Sequence, residues 1–134
     1  MQYLTEDDIV AFYREAIGAP KLRYAAGLSS AVGRPQQSFG GVDAYPDIFE
    51  KCAALMHSLD ENQAFIDGNK RIAWISGRVF LQINGYTLRA TENDVVALFR
   101  ERIPGGITIR DLAAWIERRA ETPGEDNDAD RRPV

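Results

Sequence analysis

Apolar side chains recur at helical spacing along most of this chain, and the breaks between the stripes mark its elements. Ile9, Phe12, Tyr13, Ala16 and Ile17 form a first stripe. Thr5 stands before it as an N-cap, with Glu6, Asp7 and Asp8 in the first turn, and Gly18 and Pro20 close it. A short second helix is predicted over residues 25–32, stopped by Gly33 and Pro35, and the polar, Gly-containing run 36–42 reads as a plain connection or a small flap over a site. Tyr45, Pro46 and Asp47 open a third helix, with Pro46 suited to the first helical position, and Ile48, Phe49, Cys52, Leu55, Met56 and Leu59 form its apolar face. Ile72, Ile75, Val79, Phe80 and Ile83 mark a fourth helix from Asn69 to about Asn84, with Gly85 after it and Leu88 in a short extended link. Thr91 caps a fifth helix, with Val95, Leu98 and Phe99 inward, ended by Pro104, Gly105 and Gly106. Thr108 caps a sixth, packed through Leu112, Ala113, Trp115 and Ile116. No pair of alternating strands is convincing and there is no internal repeat, so the predicted fold is all-α, a compact bundle of about six helices.

Composition narrows the class without naming it. At 134 residues, 45% hydrophobic and 27% charged, the chain suits one globular domain with a real core. No apolar run approaches the ~20 residues of a membrane span and no basic-then-apolar leader opens the chain, so no membrane is expected. The single cysteine, Cys52, cannot form an internal disulfide and lies on an apolar helix face, which fits a core residue in a reducing cytoplasm. Five acids oppose two arginines from Glu121 to Val134, a net −3 of the total −4. The expectation is a folded domain over residues 1–120 and a disordered acidic tail over residues 121–134. A body this close to neutral gives no general basic field, and neither candidate recognition helix carries a run of basic and amide side chains, so no DNA binding by this chain alone is expected.

The chemistry concentrates between the third and fourth helices, in Gln63-Ala64-Phe65-Ile66-Asp67-Gly68-Asn69-Lys70-Arg71. A turn feeding a helix start exposes backbone N–H groups at the positive end of the macrodipole, and Lys70 and Arg71 add charge in that turn, as a phosphate cradle requires. Asp67 offers a hard oxygen that suits Mg²⁺ against the same phosphates. The bland alternative is a loop whose Asp67 caps a helix beside two solvated cations. Other patterns fail. Gly68-Asn69-Lys70 lacks the second glycine and the hydroxyl residue of a Walker loop. An EF-hand register would put Gln63 and Phe65 at ligand positions. His57, the only histidine, lies off the helical face of Cys52 and makes no metal pair with it. Trp74 and Trp115 read as packing residues.

The nonapeptide resembles the signature of the Fic/Doc family, most closely its death-on-curing branch, whose pattern is H-x-F-x-[DN]-[AG]-N-K-R. Here Phe65, Asp67, Gly68, Asn69, Lys70 and Arg71 match in order. Ala44-Tyr45-Pro46, the run from Glu50 to Ala53 and the run from Phe80 to Tyr86 look like that branch's flanking helices, so the resemblance covers roughly residues 4 to 118. It implies the all-α Fic/Doc-like fold with the motif loop between two central helices. It also implies the toxin of a toxin-antitoxin pair, a kinase-like enzyme that moves the ATP γ-phosphoryl to a threonine of elongation factor Tu and blocks translation. A partner antitoxin would fold a helical segment into its groove. Lys70 favours this branch over the adenylylating one, which usually has glycine there and a further arginine where this chain has Trp74.

By position the resemblance gives Asp67 to Mg²⁺ or phosphate orientation. It gives Gly68, Asn69, Lys70 and Arg71 to the ATP phosphates, with the Asn69 side chain in the anion hole, and it assigns Lys70 and Arg71 charge neutralisation during transfer. Phe65 should pin the loop to the core. The departure is Gln63, where the family places its catalytic histidine. A carboxamide can hydrogen-bond a hydroxyl but cannot usefully take its proton near pH 7, and losing a general base costs roughly 10²–10⁴-fold in rate. The expectation is a chain that binds nucleotide and partner yet transfers weakly. Fic-type adenylylation and a non-catalytic nucleotide- or antitoxin-binding module are the alternatives. Gln63 has two possible origins, an introduced exchange or natural drift; the otherwise intact site favours the first.

Overall fold

The computed structural model describes residues 1–122 of the chain. Six α-helices carry the architecture: α1 (Glu6–Ala16), α2 (Ala25–Gly33), α3 (Ile48–Asn62), α4 (Asn69–Ile83), α5 (Glu92–Ala97) and α6 (Ile109–Arg119). Each expected threonine cap is present. Thr5, Thr91 and Thr108 accept from the backbone N–H three residues on, and the first two complete reciprocal capping boxes with Asp8 and Asp94.

The third helix is the axis of the fold. From Lys51 to Met56 and from Ser58 to Asp60 every residue is buried, because α3 packs on α2, α4 and α6 together. Small residues make that crowding feasible. Cys52, Ala53 and Ala54 are fully covered, and on α4 a Cβ at Gly77 would strike the Met56 side chain. Cys52 is a core residue, its thiol pushed well above the usual range by burial. Phe65, Phe80, Leu81, Leu98, Leu112 and Ile116 fill the space around this axis, and Trp115 meets Trp74 edge to face at 6.3 Å.

Four details differ from the sequence expectation. Pro46 lies outside α3, because the Asp47 carboxylate accepts from Glu50 N at 2.8 Å and takes the N-cap position. Pro35 does not end the second helical segment: a 3₁₀ turn carries it from Arg34 to Gln36 with Pro35 buried. The fifth helix widens into a π-type turn over Leu98–Arg102, where Ile103 N reaches back to Leu98 O at 2.9 Å.

Short strands also exist. β1 (Ser38–Phe39) and β2 (Val42–Asp43) pair antiparallel as Ser38↔Asp43 and Phe39↔Val42. Gly40 and Gly41 turn the hairpin at φ 58° and 81°, a two-residue reversal that glycine adopts without steric cost. β3 (Thr87–Leu88) pairs antiparallel with β4 (Ala120–Glu121). The boundary drawn after residue 120 therefore cuts a strand pair; the rest of the expected tail, residues 123–134, lies outside the described residues. No helix among the described residues is long and apolar enough to cross a membrane.

Candidate functional site

The loop from Gln63 to Gly68 starts where α3 stops. Gln63 is left-handed, at φ 52° and ψ 46°, and among the described residues no other non-glycine has a positive φ. That conformation costs a side-chain-bearing residue energy, so neighbours must hold it. Arg23 donates from Nε and a terminal nitrogen to Gln63 O at 3.1 and 2.9 Å, and Gln63 Nε2 donates to Asp60 O at 2.9 Å.

The segment before α2 then splints the loop. Ala64 O accepts from Arg23 N and Tyr24 N at 2.7 and 3.0 Å, Ile66 N donates to Lys21 O at 3.0 Å, and Leu22 bridges Phe65 as an isolated β pair. Phe65 points inward. Its ring is 1% exposed and stacks on Tyr13 of α1 at 4.4 Å. The buried Asn69 side chain clamps the Phe65 backbone from the other side: Oδ1 accepts from Phe65 N at 3.1 Å and Nδ2 donates to Phe65 O at 2.9 Å. Its oxygen and one of its two amide hydrogens are engaged by the loop, which leaves the second Nδ2 hydrogen and the first-turn N–H for an anion.

Asp67 and Gly68 form the lip. Asp67 does not cap α4; Gly68 occupies the N-cap position, with no side-chain hydrogen bond. The Tyr13 hydroxyl lies 2.9 Å from both Asp67 O and Asp67 Oδ1. Burial, then the hydrogen bond and charge of Asp67, raise the Tyr13 phenol above its ordinary pKa. Gly68 sits at φ 75°, and a Cβ there would lie 3.3 Å from both Tyr13 and Ile17, so conformation and space both favour glycine. The exposed Asp67 carboxylate keeps a second oxygen outside the tyrosine contact. One carboxylate beside a phosphate-receptive helix start fits Mg²⁺, which is commonly held by one or two carboxylates, phosphate oxygens and water. No cluster of three His, Cys, Asp or Glu side chains exists among the described residues, so a metal here would depend on ligand oxygens.

Behind this lip, α4 presents the N–H groups of Asn69, Lys70 and Arg71, which helix geometry leaves without intrahelical acceptors. The Arg71 side chain is exposed and forms no ion pair among the described residues. Lys70 does: its Nζ lies 3.2 Å from Asp60 Oδ1. A cavity of about 380 Å³ is lined by Gln63 and by Ile66 through Arg71, so the motif positions converge on one space. A neighbouring cavity of about 420 Å³, lined by Tyr13, Ile17, Gly18, Ala19 and Lys21, shares Ile66 and Asp67 with it. A larger cavity, about 700 Å³, lies elsewhere, between α4, β3 and the start of α5. Its Arg119 is 4.0 Å from the Trp115 ring and 3.6 Å from Asp94, and its Arg89 is 2.6 Å from Glu121. Its third arginine, Arg78, forms no ion pair among the described residues, so charge does not separate the two cavities; the motif cavity is the candidate because the loop and the start of α4 converge on it.

The run 36–42, expected as a connection or flap, holds all of the hairpin but Asp43, with Phe39 and Val42 exposed. Its root is tied to the core by Lys51, which is only 3% exposed and donates to Pro35 O at 3.1 Å and Asp43 Oδ2 at 3.3 Å. Below the hairpin Arg34 donates to the Tyr45 hydroxyl at 3.0 Å and to Ser58 Oγ at 2.7 Å. His57 is half-buried with Nδ1 3.0 Å from the Glu61 carboxylate, in no metal arrangement. Tyr13, Arg23, Lys51 and Asp60 are the site-shaping residues that motif reading missed. Tyr13 was visible only as part of an apolar stripe, and the others carry no local signal, since the partners of their side chains lie at least eight residues away.

Comparison with known proteins agrees with the loop's geometry. The Fic/DOC family model matches residues 3–81, more than half of the chain and the whole of the site. "Toxin Doc" of Mycolicibacterium smegmatis is 46% identical over 90 residues, which make up 66% of this chain and 69% of that protein. With its nonapeptide loop packed between two central helices and this match across α1 to α4, the chain belongs to the Fic/DOC family.

Proposed function

We propose that this protein is a Doc-like toxin whose motif cavity binds the phosphates of Mg-ATP and which belongs, by chemistry, to the kinase-like transferases. The observation that carries the reading is the convergence of Asp67, Gly68, Lys70, Arg71 and the α4 N-terminus on one cavity. Backbone N–H groups and the helix dipole hold terminal phosphate oxygens, Gly68 permits close approach, and Arg71 meets the charge that develops on the transferring group. Asp67 would hold Mg²⁺, and the chemistry the ion would supply there is positive charge against the phosphates.

Transfer of the γ-phosphoryl makes a bond from the acceptor hydroxyl oxygen to phosphorus and breaks the bond to the bridging oxygen, releasing ADP. The hydroxyl proton needs an acceptor. Gln63 stands in that place, its Nε2 turned onto Asp60 O, and a neutral amide leaves the transfer weak. A threonine of elongation factor Tu is the proposed acceptor, cytoplasmic translation the process blocked, and an antitoxin the partner. Exposed Leu22, Tyr24, Phe39, Val42 and Ile66 offer an amphipathic antitoxin helix apolar anchor points. Co-expression with the neighbouring antitoxin is expected to yield a stable complex; purification of the chain alone from such cells would remove that partner.

The test of the chemistry uses Gln63→His with ATP labelled at the α- or γ-phosphate and elongation factor Tu as acceptor. Transfer of γ-label by the histidine variant, roughly 10²-fold or more above the unmutated chain, supports the phosphotransferase. Its rate should rise with pH through about 6–7 as the imidazole loses its proton. Movement of α-label instead selects adenylylation. If neither label moves while Mg-ATP still binds, the chain is a binding module, the reading that the occupied Gln63 amide favours.

A further inference from the structure

Asp60 is the only acidic side chain buried among the described residues. It sits in the last turn of α3 and touches two motif positions at once. Its carboxylate meets Lys70 at 3.2 Å, and its carbonyl oxygen accepts from Gln63 Nε2 at 2.9 Å. The pair is asymmetric: the Asp60 side chain is 6% exposed and that of Lys70 is 51% exposed. A carboxylate withdrawn from water needs a cation nearby, and Lys70 supplies it. Lys70 also lines the motif cavity. It therefore has two competing anions to serve, one built into α3 and one brought by the ligand.

We propose that Asp60 sets the affinity of the motif cavity for phosphate by holding Lys70 on α3, so that a bound phosphate must draw the ammonium away from Asp60 or share it. The proposal rests on the nucleotide reading above and adds a residue that is absent from the motif. Asp60 is a positioning residue: it acts through Lys70 and touches no ligand. Arg71, with no ion pair among the described residues, makes the first contact, and Lys70 follows at a cost that Asp60 fixes.

The experiment is calorimetric titration of the full chain with Mg-ATP, carried to millimolar ligand, for the unmutated protein, Asp60→Asn, Lys70→Met and the double variant. Asp60→Asn is expected to tighten binding about two- to fivefold, the range open to a half-exposed ion pair. In the Lys70→Met background the same exchange should leave the affinity unchanged. A Kd that Asp60→Asn leaves equal or weaker overturns the proposal. So does tightening that persists without Lys70, since that would be a diffuse effect of removing charge. A measurement on the unmutated chain guards against misfolding of Asp60→Asn: the ¹⁵N-labelled Lys70 ammonium resonance should move on Mg-ATP binding as its anion changes, and an unmoved resonance in a saturated protein again overturns it. Absence of Mg-ATP binding in every protein removes the nucleotide reading and this inference together; binding without coupling removes the inference alone.

Discussion

Single side chains hold this site in shape, and the two most informative are Asn69 and Tyr13. Asn69 satisfies the N–H and the carbonyl of Phe65 inside the core. Asn69→Ala would leave both backbone groups buried and unpaired, a loss of about 2–6 kcal/mol at ~1–3 kcal/mol for each such group. Urea unfolding is expected to show it, and a midpoint unchanged from the parent would refute the clamp. Tyr13 gives a pH signature. Its folded pKa is raised above the ordinary 10.0, first by burial and then by Asp67. The folded state therefore keeps a proton that the unfolded chain releases near pH 10.0, and the stability it contributes is complete below that pH and lost as pH rises through the folded value. Unfolding midpoints should fall above about pH 10 in the unmutated chain and fall less in Tyr13→Phe; parallel curves would remove Tyr13 as the titrating group. Asp67, Gly68, Lys70 and Arg71 were legible as a chemical set because they are contiguous. Their division of labour was not, since the Asn69 clamp and the Asp60–Lys70 pair depend on where α3 and the loop lie relative to each other.

At the scale of elements, the helices announce themselves and the strands do not. Caps at Thr5, Thr91 and Thr108 are local hydrogen-bonding signals within three residues, readable wherever they occur. Each strand has only two residues, too few for alternation to register, although Gly40-Gly41 is a genuine turn signal that the polar run around it obscured. The hairpin matters because Lys51 ties its root to the central helix through Asp43 and Pro35 O. Lys51→Met removes a buried ammonium and fills its space with an apolar chain of similar length. The exposed Asp43 carboxylate returns to water, but Pro35 O loses its buried donor, so thermal stability should fall by about 1–3 kcal/mol. Amide exchange across residues 38–43 should also accelerate, because the root is untied. Strong destabilisation with unchanged exchange would show that Lys51 serves the core and not the hairpin.

The whole molecule brings α1, the segment before α2, α3 and α4 around one loop, and the match to the Fic/DOC family spans that same stretch. Helix positions, the threonine caps, the core identity of Cys52 and the place of the motif loop between two helices were set by the sequence alone, because each depends on spacing within a turn or two of chain. Tertiary structure decided the rest: Arg23 holding Gln63 in a left-handed turn, Tyr13 reaching Asp67 across 54 positions, and Lys70 turned onto Asp60. Those contacts join residues whose separation along the chain carries no periodic signal, and they form only when packing of α3 against α2 and α4 has brought the segments together. The physical reason is that capping and amphipathic patterning are short-range, whereas the partner of a buried polar group is fixed by the packing that excludes water from it.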